Sequence, residues 1–122
     1  MIKLGQSKDI LGVVFDQIGT PTYAHDLAEA ILAIIDKGII PGIYHFSNEG
    51  VTSWYDFSKA IHRIAGITSC RITPLHTEEY PTSANRPNYS VLDKSKIKNA
   101  YDIKIPHWEE SLNDCIQKLQ TQ

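Results

Sequence analysis

Between Val13 and Ala28 the chain passes from a short apolar run into an amphipathic pattern of helical period, through the loop Asp16–Thr22. This junction constrains the fold more than any other stretch, because a strand has to deliver the chain into a loop and the loop has to launch a helix. A connection that only turned a corner would need about 2–6 residues of any polar character. This one holds a carboxylate (Asp16), an amide (Gln17) and two hydroxyls (Thr20 and Thr22) around Gly19 and Pro21. Glycine allows the backbone to approach a ligand closely, and proline pre-sets one φ angle. Two readings stand at this point: a well-made strand-to-helix turn with Thr22 as the helix cap, and a loop shaped around a ligand.

The elements on either side follow from periodicity and punctuation. Leu11 to Phe15 reads as a strand, preceded at Met1–Asp9 by the polar end of a helix. A helix is predicted over Ala24–Lys37, with Leu27, Ala28, Ile31, Ile34 and Ile35 on one side and Gly38 closing it. Pro41-Gly42 turns into a predicted strand at Ile43–Ser47. Ser53 opens a second helix through a Ser-x-x-Asp capping pattern to Asp56; it would bury Trp54, Phe57, Ile61 and Ile64 and stop at Gly66. Arg71–Leu75 reads as a short strand, and Asp93 as the cap of a short helix through Ile97 and Ala100. A last helix from about Trp108 carries Leu112, Cys115, Ile116 and Leu119 at helical spacing. No repeat, linker or low-complexity tract divides residues 1–122. The expected architecture is one α/β unit in which helices cover short strands.

Composition removes several functions. At 122 residues, 42% hydrophobic and 21% charged, the chain is an ordinary single globular domain able to bury a core. A formal net charge of −2 with no basic block gives a nucleic-acid partner no electrostatic support. No apolar stretch approaches the roughly 20 residues that span a bilayer, and no signal-peptide pattern opens the chain. Cys70 and Cys115 stand far apart, and the five histidines show no metal-ligand spacing. Reduced thiols, a cytoplasmic setting and no metal site are therefore expected.

Three blocks carry a resemblance. Asp16-Gln17-Ile18-Gly19-Thr20-Pro21-Thr22 resembles the D-Q-x-G-x-P-T segment of dTDP-4-dehydrorhamnose reductases, which are extended short-chain reductases. Gly42-Ile43-Tyr44-His45-Phe46-Ser47, continuing to Gly50 and then Ser53-Trp54-Tyr55-Asp56-Phe57, resembles that family's G-x-Y-H-x-S-x-x-G and S-W-Y-x-F segments. Tyr80-Pro81-Thr82 with Arg86-Pro87-Asn88-Tyr89-Ser90-Val91-Leu92-Asp93 resembles its Y-P-T and R-P-x-x-S-x-L-D segments. The blocks stand in the family's order, and the likeness covers nearly the whole chain. It implies the C-terminal, substrate-binding portion of a longer reductase, without the N-terminal NAD(P)-binding Rossmann domain. The family's cofactor is NADPH or NADH, held by a G-x-x-G-x-x-G turn, with catalysis by a Y-x-x-x-K pair. The seven glycines here come no closer than Gly38 and Gly42, so this chain has no such turn and no cofactor-binding residues. Tyr55 and Lys59 have the catalytic spacing but sit in the S-W-Y-D-F block, so they are read as two residues on one helical face and no catalytic residue is assigned.

The resemblance implies a dTDP-sugar as ligand and the missing N-terminal domain as structural partner. Gln17, Gly19, Thr20, Pro21 and Thr22 would line its binding site, together with Arg86 and Pro87. Arg86 sits in a stretch stiffened by Pro74, Pro81 and Pro87, and a guanidinium held there is suited to bidentate bonding with phosphate oxygens. Its plain alternative is a surface ion pair with Glu78 or Glu79. Gln17 would either bond nearby backbone or use its donor and acceptor on a ligand. Asp16 reads as a turn-former, since a carboxylate repels a diphosphate. His25 and Asp26 read as solvated, His45 as partly buried and hydrogen-bonded, and Trp54 as core. Two other functions stay open: a non-catalytic regulatory module of the same fold, like the β subunit of methionine adenosyltransferase, and another sugar-nucleotide epimerase or dehydratase. Apolar helix faces that would have met the missing domain also predict self-association.

Overall fold

A computed structural model describes residues 1–121. Helix α1 (Ile2–Ser7) leads into β1 (Ile10–Val14), β2 (Ile18–Gly19) and α2 (Ala24–Lys37). Strand β3 (Thr52–Ser53) runs directly into α3 (Trp54–Ala65). Strand β4 (Arg71–Leu75), a 3-10 turn at Thr77–Glu79, α4 (Ser95–Tyr101) and α5 (Trp108–Gln120) follow. Strands β1 and β4 pair in parallel, with Ile10 opposite Arg71 and Val14 opposite Leu75. Parallel strands need a long crossover, and β2, α2, β3 and α3 supply it. Pro74 is tolerated because both strands of this sheet are edges. Strands β2 and β3 form a second, antiparallel pair. The α/β architecture of short strands under helices is the expected one.

Helix α3 organises the core because its ends are chemically defined. The Ser53 hydroxyl accepts from the Asp56 amide at 2.9 Å and donates to the Asp56 carboxylate at 2.6 Å, so two polar groups are satisfied at its start. Gly66, at φ +70°, takes the left-handed conformation that ends it. Between them, Ala60, Ile61 and His62 are buried, and the helix packs on α1, β1, β4 and α5. Val14, Cys70, Ile72, Trp108 and Ile116 complete this core. Phe57 meets Trp108 edge-on, with centroids 5.8 Å apart. Helix α2 instead packs on α4, where Ala30, Ile97 and Tyr101 are buried and the Tyr101 hydroxyl accepts from the Ile40 amide at 2.9 Å.

Two expectations need correction. Ile43–Ser47 is not a strand: among the described residues no neighbouring strand offers its backbone a ladder, and Ile43 is 80% exposed. β-Pairing is a property of two segments, so an apolar pattern in one cannot produce it. Helix α2 has the predicted bounds but not the predicted buried side. Ala30 is its buried residue, whereas Leu27, Ile31 and Ile35 lie open to solvent. Lys37, at the end of the helix, donates to the Tyr101 carbonyl of α4, and Leu27, Ile31 and Ile35 have no cover among the described residues.

Candidate functional site

The backbone of Ile18 brings the two proline-stiffened polar segments together. Its N–H donates to the Asn88 carbonyl at 2.8 Å, and its carbonyl accepts from the Ser90 N–H at 2.9 Å. On the opposite edge Ile18 and Gly19 pair with Ser53 and Thr52. The Thr20 hydroxyl donates to the Gly50 carbonyl at 2.7 Å, anchoring the loop from a third direction. Segments far apart in sequence thus become adjacent strands of one small surface. The sequence placed both in a site; only the fold makes them neighbours.

Two cavities open beside this junction. Gln17 and Arg86 line a cleft of about 500 Å³ together with Leu11, Val13, Trp54 and Tyr80. Gly19, Thr20, Pro21 and Thr22 line a smaller one of about 120 Å³, with Thr52 and Ser90. Pro87 lies outside both linings and bears on them through the backbone it stiffens. Trp54 borders both cavities and is 51% exposed, which corrects its assignment to the core. The reason is local. It is the first residue of α3, and Phe57, three residues on, takes the position against Trp108 while meeting the Trp54 ring edge-on at 6.4 Å. The sequence signal for this position is a large aromatic directly after a helix cap, which helix-face periodicity alone does not separate from a core residue.

The polar residues sort by their partners. Arg86 forms no ion pair among the described residues; the Glu79 carboxylate accepts instead from the His76 amide at 2.7 Å. Gln17 donates to the Thr77 hydroxyl at 3.1 Å, which leaves its amide oxygen available. Asp16 is the expected turn-former: the Thr77 hydroxyl and amide donate to its carboxylate at 2.7 and 3.1 Å. Those bonds, the hydroxyl's first, hold its pKa below the ordinary carboxylate value. Asp16, His76 and Glu78 bring three possible ligand atoms within 4.8 Å of one another, but all three are at least partly open to solvent and Asp16 is already engaged by Thr77.

Thr22 does not cap α2. The cap is Tyr23, whose amide donates to the Asn48 side-chain oxygen at 2.8 Å. Nor is Asp26 merely solvated: it accepts from Asn48 and Ser111, each at 2.5 Å. His25 is exposed as expected, but His45, expected to be partly buried, is exposed too, because its segment has no sheet to enclose it.

Fold and site together define an α/β domain with a two-chambered cleft where its polar loops meet. The chain belongs to the RmlD substrate binding domain family, whose model matches residues 1–121. It is 45% identical over 118 residues to the spore coat polysaccharide biosynthesis protein SpsK of Bacillus subtilis, covering 97% of this chain and 40% of that protein. A dTDP-4-dehydrorhamnose reductase from Clostridium acetobutylicum superposes with a TM-score of 0.90 at 42% identity, over 98% of this chain and 42% of that one. The reductase from Bacillus anthracis, solved in complex with NADP, gives 0.90 at 36% identity, over 96% and 41%. The chain therefore spans about two fifths of the length of these relatives.

Proposed function

We propose that this chain is the sugar-nucleotide-binding portion of an NAD(P)H-dependent dTDP-4-dehydrorhamnose reductase. The observation that carries the reading is the seam at Ile18, which sets Gln17 in one cleft with Arg86, a residue that forms no ion pair among the described residues. A guanidinium without a carboxylate partner, beside an amide and two aromatic rings, suits an anionic nucleotide better than a neutral metabolite. In the whole protein this wall faces a second wall from the N-terminal portion, which holds the nicotinamide cofactor. That cofactor supplies the hydride when bound. Among the described residues Gly38, Gly50 and Gly66, the glycines with positive φ, lie in separate turns rather than in one phosphate-cradling loop. The chain's own residues bind and orient the sugar nucleotide. Unbridged Cys70 and Cys115 support a cytoplasmic setting, and none of the described helices is long and apolar enough to cross a membrane.

Arg86→Ala tests the reading. Binding of dTDP-L-rhamnose, followed by calorimetry, should weaken by about 1.5–3 kcal/mol, roughly ten- to a hundredfold. Arg86→Lys should restore part of the loss, because an ammonium cannot reproduce the planar fork. An Arg86→Ala protein that binds as tightly as the parent refutes the ligand role of this residue.

A further inference from the structure

Gln17 reaches the cleft with its amide orientation already decided, and the residue that decides it, Thr77, lies 60 positions away in the chain. The parallel pair β1–β4 brings the two together. Beyond the register of Val14 with Leu75, the Phe15 amide donates to the Leu75 carbonyl at 3.0 Å, so the two segments leave the sheet side by side. Asp16 and Gln17 follow one strand, and Thr77, at the start of the 3-10 turn, follows the other. The backbone of Thr77 is fixed there. Its amide donates to the Asp16 carboxylate at 3.1 Å, and its carbonyl accepts from the Tyr80 amide at 3.1 Å.

The direction of each side-chain hydrogen bond follows from where the protons are. An ionised carboxylate only accepts, so the 2.7 Å contact from the Thr77 hydroxyl to Asp16 uses the single proton that the hydroxyl has. The same hydroxyl oxygen lies 3.1 Å from the Gln17 side chain, and there it can only accept. A side-chain amide has a donor end and an acceptor end of nearly equal size, which only its partners distinguish. Here the end that meets Thr77 is the NH2 group. The amide oxygen, at the other end, accepts no hydrogen bond among the described residues, and Gln17 lines the cleft that also holds Arg86.

We propose that Thr77 is a positioning residue: with Asp16 as its fixed acceptor, it holds the Gln17 amide oxygen toward the cleft, so that this position selects a ligand group that donates a hydrogen bond. The proposal rests on the sugar-nucleotide reading above. Ionised diphosphate oxygens only accept and would face the Gln17 oxygen lone pair to lone pair, which leaves them to Arg86. The N–H and O–H groups of the nucleoside and the hydroxyls of the sugar are the donors that fit.

Nuclear magnetic resonance on the parent chain should show an Overhauser contact between the Gln17 side-chain NH2 protons and the Thr77 side chain. Those NH2 resonances should move to the position of a free glutamine amide in Thr77→Val and hold their place in Thr77→Ser. By calorimetry, Thr77→Val and Gln17→Ala should each weaken dTDP-L-rhamnose binding roughly three- to tenfold. The double variant should bind no more weakly than Gln17→Ala alone, because Thr77 acts through Gln17. Thr77→Ser, which keeps the hydroxyl, should rescue binding. A loss shared by dTDP places the donor on the nucleoside, a loss confined to dTDP-L-rhamnose places it on the sugar, and either upholds the proposal. Losses that add in the double variant show Thr77 acting apart from Gln17 and overturn it. A Gln17→Ala chain that binds as tightly as the parent overturns it too, and in both cases binding by the parent leaves the sugar-nucleotide reading standing. Absence of the NH2 contact in the parent is equally fatal to the proposal, and that measurement requires no variant to fold. A parent chain that binds neither compound overturns both.

Discussion

Asn48 is a buried polar side chain with partners at both its amide oxygen and its amide nitrogen. Only 1% exposed, it accepts from the Tyr23 amide and donates to Asp26, to Ser111 at 2.8 Å and, more distantly, to the Pro106 carbonyl at 3.3 Å. It thereby ties the start of α2 to the start of α5 and holds the loop that leads into the cleft. Truncating it takes the acceptor from the Tyr23 amide and one of two donors from the Asp26 carboxylate, so Asn48→Ala should cost about 2–4 kcal/mol in denaturant unfolding. Next to it, the Glu49 carboxylate bonds Lys98 at 2.8 Å and lies 3.3 Å from Lys94. The Lys98 hydrogen bond, with smaller help from Lys94, holds its pKa below the ordinary value of 4.5. A carboxyl whose folded pKa is depressed stabilises the fold fully above its unfolded value and loses that contribution as pH falls through the folded one. Unfolding followed from pH 7 to pH 3 should therefore show a decline below about pH 4.5 that is shallower in Glu49→Gln.

At the scale of elements, α3 and α2 contrast instructively. Both have the predicted bounds, α3 through Ser53 and Gly66, α2 through the loop before it and Gly38 after it. The first finds its core; the second keeps Leu27, Ile31 and Ile35 at 37%, 49% and 57% exposure. Nearby in sequence, Ile39 and Ile43 are more exposed still, so the apolar exposure continues from the helix into the segment that failed to become a strand. Exposed apolar surfaces of this kind attract partners. We expect the isolated chain to self-associate in sedimentation experiments at high concentration, and Ile31→Lys with Ile35→Lys to reduce it. A strict monomer in the parent chain would remove this expectation.

For the whole molecule, the proposed role divides labour between two walls of a cleft. This chain holds the loops that would grip a sugar nucleotide, and its sequence has neither a Gly-rich phosphate turn nor a Y-x-x-x-K pair in the family's catalytic block. Without a donor site for hydride or an acid for the carbonyl, the isolated chain should not oxidise NADPH above background in the presence of dTDP-4-dehydro-L-rhamnose. Absorbance at the nicotinamide band is the check, and turnover by the purified chain would contradict the division.

What the sequence determined by itself was local. Ser53 and Asp56 define a helix start by their own chemistry, Gly66 and Gly38 define ends by conformational freedom, and the bounds of α2 and β4 follow from period and punctuation. The motif blocks around Gln17 and Arg86 likewise identified the family without a single contact being known. Tertiary structure decided whatever depends on a second segment. Ile43–Ser47 has the composition of a strand but no ladder to join. Asp26 reads as solvated in the sequence, yet Asn48 and Ser111 donate to it, and the cap position of α2 falls on Tyr23, whose amide Asn48 holds, rather than on Thr22. Trp54 fitted the helical period, yet its place at the first residue of α3, with Phe57 already set against Trp108, turned it into the wall between two cavities. Caps and periods are set by neighbours in the chain; burial, pairing and the shape of a cleft are set by neighbours in space.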